Sequence, residues 1–135
     1  METDELVQRI AHSKKSLFIT VLTANEVSTF GPDNIEHFLP WTLVQLAKLQ
    51  RHKYSKNKKA GVLSLVIREF TALRDAVTGI PIKRIAGCFI QDGEVHSLTA
   101  GEMRQAFLTD AQTGEPLDPE PNVTFIDFEQ LVAQL

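Results

Sequence analysis

Asp92-Gly93 constrains the fold more than any other pair in the chain. It stands between two strand-like runs, Lys83 to Ile90 and Glu94 to Leu98. An Asp-Gly pair supplies the positive-φ residues that a two-residue hairpin turn demands. The runs are therefore expected to pair antiparallel, with Ile90 facing Val95 and Phe89 facing His96. Whatever else the chain builds must accommodate this hairpin.

The segments before it alternate in character. Residues 3–12 read as a short helix, with Thr3 as N-cap, acids in the first turn and Leu6, Val7, Ile10 and Ala11 on one face. Ser16 to Thr23 is rich in β-branched residues and apolar on both faces, the pattern of an interior strand. Residues 24–33 read as a loop. Asp33 and Glu36 have capping-box spacing and predict a short turn at 33–38. A helix then runs from Pro40 at its first position to about Arg51, burying Leu39, Leu43, Leu46 and Ala47. Residues 60–77 fit a helical face through Leu63, Val66, Ile67, Phe70, Leu73 and Val77. Their Val62, Val66 and Ile67 also suit a strand, but length and period favour helix.

After the hairpin, Thr99-Ala100-Gly101-Glu102 is a capping box opening a helix with Met103, Ala106 and Phe107 inward. Residues 112–122 hold three prolines and three acids and read as an exposed loop. Val123 to Ile126 is a short strand, and Asp127 caps a last helix carrying Phe128, Leu131, Val132 and Leu135. One octapeptide recurs: Asp75-Ala-Val-Thr-Gly-Ile-Pro-Ile returns as Asp110-Ala-Gln-Thr-Gly-Glu-Pro-Leu. Gly followed by Pro suits either a helix stop or a hairpin turn. This mixture predicts an α+β (or α/β) fold. A single compact domain, residues 1–135, would hold a small three- to four-stranded sheet with helices packed on it.

Composition bounds the setting. The chain has 135 residues, is 43% hydrophobic and 23% charged, and contains one cysteine. Those values suit a globular domain that needs no disulfide. The acidic start, Met1-Glu2-Thr3-Asp4-Glu5, lacks signal-peptide layout, and no apolar run reaches bilayer-spanning length. A soluble, cytoplasmic protein with no membrane partner and no cofactor is expected.

Charge is unevenly spread. Residues 1–60 sum to +3 and residues 61–135 to −6, giving the net −3. Lys48, Arg51, Lys53, Lys56, Lys58 and Lys59 fall together without an acid, and Tyr54 lies among them. Such a segment suits an acidic protein surface, the acidic 110–129 region of another copy, or nucleic-acid phosphates with Tyr54 stacking on bases. Lys83 and Arg84 extend the patch if the fold brings them near. A solvated connector is the plainer reading of any charge run, and a net-negative chain argues against a general nucleic-acid coat.

Catalytic signals are weak. Glu94 and His96 share a strand face, but Asp92 sits in the turn and no second ligand has metal spacing, so a polar hairpin face with His96 stacked on Phe89 is expected. Glu36 and His37 point apart if helical. Cys88 shares a strand face with Ala86 and Ile90 and reads as core. Trp41 is either core or an exposed interface anchor. The leading expectation is a non-enzymatic interaction or regulatory protein, possibly self-associating, with its basic 48–59 face on an acidic partner. A nucleic-acid-binding regulator comes second, and a small enzyme using Glu94 and His96 third.

Overall fold

The computed structural model describes residues 2–51, 61–74, 76–108 and 123–135. The elements run α1 (Thr3–Ala11), β1 (Leu17–Leu22), β2 (Val27–Phe30), a short 3₁₀ turn (Ile35–His37), α2 (Phe38–Arg51), β3 (Val62–Arg74), β4 (Pro81–Gln91), β5 (Glu94–Ser97), α3 (Ala100–Leu108), β6 (Val123–Phe125) and α4 (Phe128–Ala133). The class is α+β, as expected, but the sheet is larger than three to four strands. Six strands form it, in the order β2-β1-β3-β4-β5, with β6 also on β4. Every pairing is antiparallel except the parallel β4–β6 pair.

The hairpin at Asp92-Gly93 forms in the expected register. Ile90 faces Val95 and Phe89 faces His96, with Asp92 at φ 53 and Gly93 at φ 76. The spine of the sheet is the long β3–β4 ladder, in which Leu65 faces Cys88 and Ile67 faces Ala86.

Residues 62–74 are a strand, not the helix that their period favours. Leu63, Leu65, Ile67 and Glu69 are buried in strict alternation, the period of a pleated strand. Apolar residues on the opposite face, Val62, Val66 and Phe70, fill in the pattern and imitate a helical stripe. Residues 24–33 are likewise not all loop, because Val27 to Phe30 add β2 against β1.

One face of the sheet carries the main core. Leu6, Val7 and Ile10 of α1, Phe38 of α2 and Phe128, Leu131 and Val132 of α4 bury against Ile19, Leu65, Cys88 and their neighbours. α3 packs on the other face, where Met103 lies over Gly87; Gly87 sits between Ala86 and Cys88 and so faces away from them. Ala106, expected inward, is exposed.

Helix ends were read partly correctly. Thr3 lies inside α1, which Glu2 caps without a side-chain bond; the Thr3 hydroxyl instead donates to the Gly93 carbonyl at 3.0 Å. The capping box at α3 forms in both directions. The Glu102 N–H donates to Thr99 Oγ1 at 3.2 Å and the Thr99 N–H to Glu102 Oε1 at 3.1 Å. The turn at Ile35–His37 is capped by Asn34, not Asp33. α2 starts at Phe38, which puts Pro40 in the first turn, where its missing N–H costs nothing. Its buried residues are Phe38, Thr42 and Gln45, and the expected Leu39 and Leu46 pack against the core beside Trp41 and Leu49, while Leu43 and Ala47 are exposed. Gln45 is drawn in by a bond from Nε2 to Glu26 Oε2 at 2.9 Å.

Candidate interaction surface

The basic segment does not supply a describable site. Arg51 ends α2, while Lys53, Tyr54, Lys56, Lys58 and Lys59 lie outside the described residues, as does the acidic stretch 109–122. Lys48 is described, and its ammonium pairs with Glu26 Oε1 at 3.5 Å. Lys83 and Arg84 face Phe70 and Glu69 on β3, seven residues of strand, roughly 23 Å, from its Val62 end.

Trp41 is half-buried against the core, its ring tilted on Phe30 at 5.6 Å between centroids. It contributes to packing while keeping part of its surface in solvent. Cys88 is fully buried in the core, and burial pushes its thiol up to about 12, which leaves it a neutral small hydrophobe. His96 stacks on Phe89 at 4.7 Å with rings 10° from parallel. His96 and Glu94 are exposed at the hairpin, and His37 pairs with its neighbour Glu36, at 3.4 Å on the surface. Among the described residues no three His, Cys, Asp or Glu converge to hold a metal ion.

What the structure does assemble lies at the other end of the sheet. β3 and β4 run on past the start of β1 and, beyond the Lys83–Val123 pair with β6, continue as a two-stranded arm among the described residues. β1 pairing stops at Leu17–Glu69, with a last bond from the Phe70 N–H to the Ser16 carbonyl. Beyond it, Phe70 faces Lys83 and Arg74 faces Pro81. Four residues on β3 thus span what two span on β4, so the arm is bulged. The Thr71 hydroxyl lies 3.1 Å from the Ile82 carbonyl and 3.3 Å from that of Leu73, bridging the bulge. The turn closes through Gly79 at φ 69, with the Arg74 guanidinium donating to the Gly79 carbonyl at 3.0 Å. The first copy of the recurring octapeptide is therefore a hairpin turn. The second copy falls outside the described residues.

The arm is apolar where it is most exposed. Leu73 is 70% exposed, Val77 93% and Ile80 47%. Phe70 is also exposed, with its ring edge-on to Phe18 at 5.2 Å and Lys83 Nζ 5.3 Å above it.

At the root of the arm is a charge cluster. Glu69 is buried, and its Oε2 accepts from Arg84 Nη2 at 2.6 Å. The same Nη2 donates to Gln134 Oε1 at 2.6 Å. Lys15 approaches the other carboxylate oxygen at 3.5 Å, a looser pair with Lys15 about a third exposed. An open pocket of about 570 Å³ lies against this cluster, with Phe70, Leu73 and Ile82 on its apolar side. Residues 14–17 and 68–84 carry Lys14, Lys15, Arg68, Arg74, Lys83 and Arg84 against the two acids Glu69 and Asp75 in the sequence.

Of these residues, the sequence names Lys83 and Arg84 as charges that could join the 48–59 segment, and Phe70, Leu73 and Val77 as part of a helical face. The missed signal is the pair Val77 and Ile80, aliphatic residues inside a turn-forming stretch. None of the described helices is long and apolar enough to cross a membrane. No protein-family model, curated protein or solved structure matches the chain, so its functional reading rests on its own geometry.

Proposed function

We propose that the chain is a non-enzymatic interaction or regulatory protein, and that the β3–β4 arm is its main contact surface. The observation that carries this reading is the exposure of Leu73, Val77 and Ile80 on a projecting hairpin. Large exposed aliphatics gathered on one hairpin cost solvation free energy, and on a folded chain such groups mark contact sites. The surrounding cations favour an acidic partner by steering encounter and orientation. The basic segment 48–59 remains, in this proposal, a second and separate electrostatic contact. A cytoplasmic setting suits a chain whose one cysteine is a buried thiol.

The six cations of the arm end also favour nucleic acid as a second reading. The aliphatic tip weighs against it, since single strands are held by aromatic stacking and cations. Self-association arm to arm would bring like charges together. A protein partner of acidic character fits best.

The test is affinity capture from the native cell extract with the intact protein, a Leu73→Asp/Ile80→Asp arm variant and a Val44→Asp control on exposed α2. Captured partners are then purified and titrated against each form. The reading expects a partner bound by the intact protein and the control but lost by the arm variant. Equal binding of purified partners by all three proteins would remove the arm as the contact surface.

A further inference from the structure

We infer that the pocket at the root of the arm receives an acidic, aliphatic peptide segment, a carboxylate settling against Lys15 and an aliphatic side chain against Leu73 and Ile82. This rests on the reading of the arm as a contact surface and adds the chemistry of its partner. Three observations carry it.

The first is shape. Gln134 lies just after α4, and Lys15 lies in the connection between the end of α1 at Ala11 and the start of β1 at Leu17, while β3 and β4 continue past the start of β1. Ile82 lies two residues before Arg84 on β4 and so shares its face. The step between helix layer and arm is the pocket of about 570 Å³, room for one or two side chains rather than a flat patch.

The second is charge. Arg84 is held through Nη2, shared between Glu69 and Gln134, while its buried Nε has no hydrogen-bond partner among the described residues. Lys15 is held less tightly, since its 3.5 Å pair with Glu69 is loose and the side chain is partly in solvent. Two cations against one carboxylate leave the pocket positive. Glu69 also shows what these cations accept, because a carboxylate already sits between them.

The third is the opposite wall. Leu73 is pushed out by the bulge and lines the pocket with Phe70 and Ile82. A ligand meeting a cation on one side and aliphatic carbon on the other needs both an acid and an aliphatic group. Adjacent residues of a peptide supply both, whereas a nucleotide phosphate satisfies only the first.

Three fluorescein-labelled dodecapeptides test this by anisotropy: one alternating Leu with Glu, one with Lys in place of Glu, and one with Ser in place of Leu. A labelled single-stranded oligonucleotide is titrated beside them. The proteins are the intact chain, Lys15→Glu, Lys15→Gln and Leu73→Asp/Ile80→Asp, each first shown by circular dichroism and urea unfolding to fold like the parent. The Leu/Glu peptide is expected to bind, and to weaken about tenfold or more as salt rises from about 50 to 200 mM. Lys15→Glu should weaken it at least about tenfold and Lys15→Gln by less, with the Ser/Glu and Leu/Lys peptides both markedly weaker.

Equal binding of the Leu/Glu and Leu/Lys peptides, or no effect of Lys15→Glu, would overturn the acidic assignment. If the arm variant then loses both peptides, the arm stands as a contact surface and only the partner chemistry falls. If the arm variant binds every peptide as the parent does, the arm reading falls too. An oligonucleotide that displaces the Leu/Glu peptide and depends on Lys15 would replace the peptide with nucleic acid. No binding of any peptide at low salt would sink the inference.

Discussion

Gly87 and Met103 meet where α3 crosses the sheet, so closely that a Cβ on Gly87 would stand 2.8 Å from Met103 Sδ and 2.9 Å from the Leu65 carbonyl oxygen. The thioether end can swing aside, but the β3 carbonyl is fixed by the ladder. Gly87→Ala should therefore destabilise the fold by about 1–3 kcal/mol. Adding Met103→Ala should not restore it, because the backbone contact remains. Urea midpoints of the two single variants and the double variant check this; full rescue in the double would show that the thioether alone sets the constraint.

The Glu69–Arg84 pair allows a sharper test of what a buried charge contributes. Glu69 is about nine-tenths buried and Arg84 about four-fifths. Arg84→Met leaves the carboxylate with only the loose Lys15 pair and should cost about 3 kcal/mol. Glu69→Met/Arg84→Met should recover most of that loss, since two apolar groups need no compensation. A double-mutant cycle by urea unfolding gives the coupling. An additive double variant would mean the two groups do not stabilise each other.

Cys88 makes stability fall at high pH. Its folded value is raised from about 9 to about 12 by burial, so between those values the unfolded chain releases a proton that the folded chain keeps. Stability is then full below about pH 9 and drops by up to about 1.4 kcal/mol per pH unit above it. To isolate the thiol, the measurement is the difference between the parent and Cys88→Ala across pH 8 to about 11. A constant difference would show that the thiol titrates alike in both states.

What was legible in the sequence depended on whether local chemistry or tertiary packing decides a segment. Asp92-Gly93 fixes two positive-φ residues by itself, so the β4–β5 register came out pair for pair. The Thr99–Glu102 box is equally local. β3 was misread because both its faces are partly covered, α1, α2 and α4 on one side and α3 on the other, so apolar residues fell on both strand faces and imitated a 3.6-residue period. For the converse reason the inner face of α2 is legible only in part, Leu39 and Leu46 packing on the core as expected and Leu43 and Ala47 not. Phe38, Leu39, Trp41, Leu43, Val44, Leu46 and Leu49 place apolar groups all around it, and the buried side is settled by polar Thr42 and Gln45, which no apolar stripe would select. The candidate site was hidden at a further level. Lys15 and Glu69 are 54 positions apart in the chain, and only the β1–β3 register, Leu17 opposite Glu69, brings them together.

Thr42 gives the most direct route to a more stable chain. It is fully buried on the inner face of α2, and its hydroxyl finds no hydrogen-bond partner among the described residues. A buried hydroxyl that has lost water without gaining a partner is a standing cost. Thr42→Val keeps the volume and the β-branch while removing the oxygen, so packing and helix propensity change little. The variant should be more stable by about 1 kcal/mol. Thr42→Ser keeps the hydroxyl, deletes a methyl and should be less stable than the parent by a similar amount. The check is the urea midpoint at constant slope for the three proteins. The order Val above Thr above Ser confirms an unsatisfied hydroxyl in an apolar site. A less stable Val variant would mean that the hydroxyl is bonded in solution, to water or to a residue that moves to meet it.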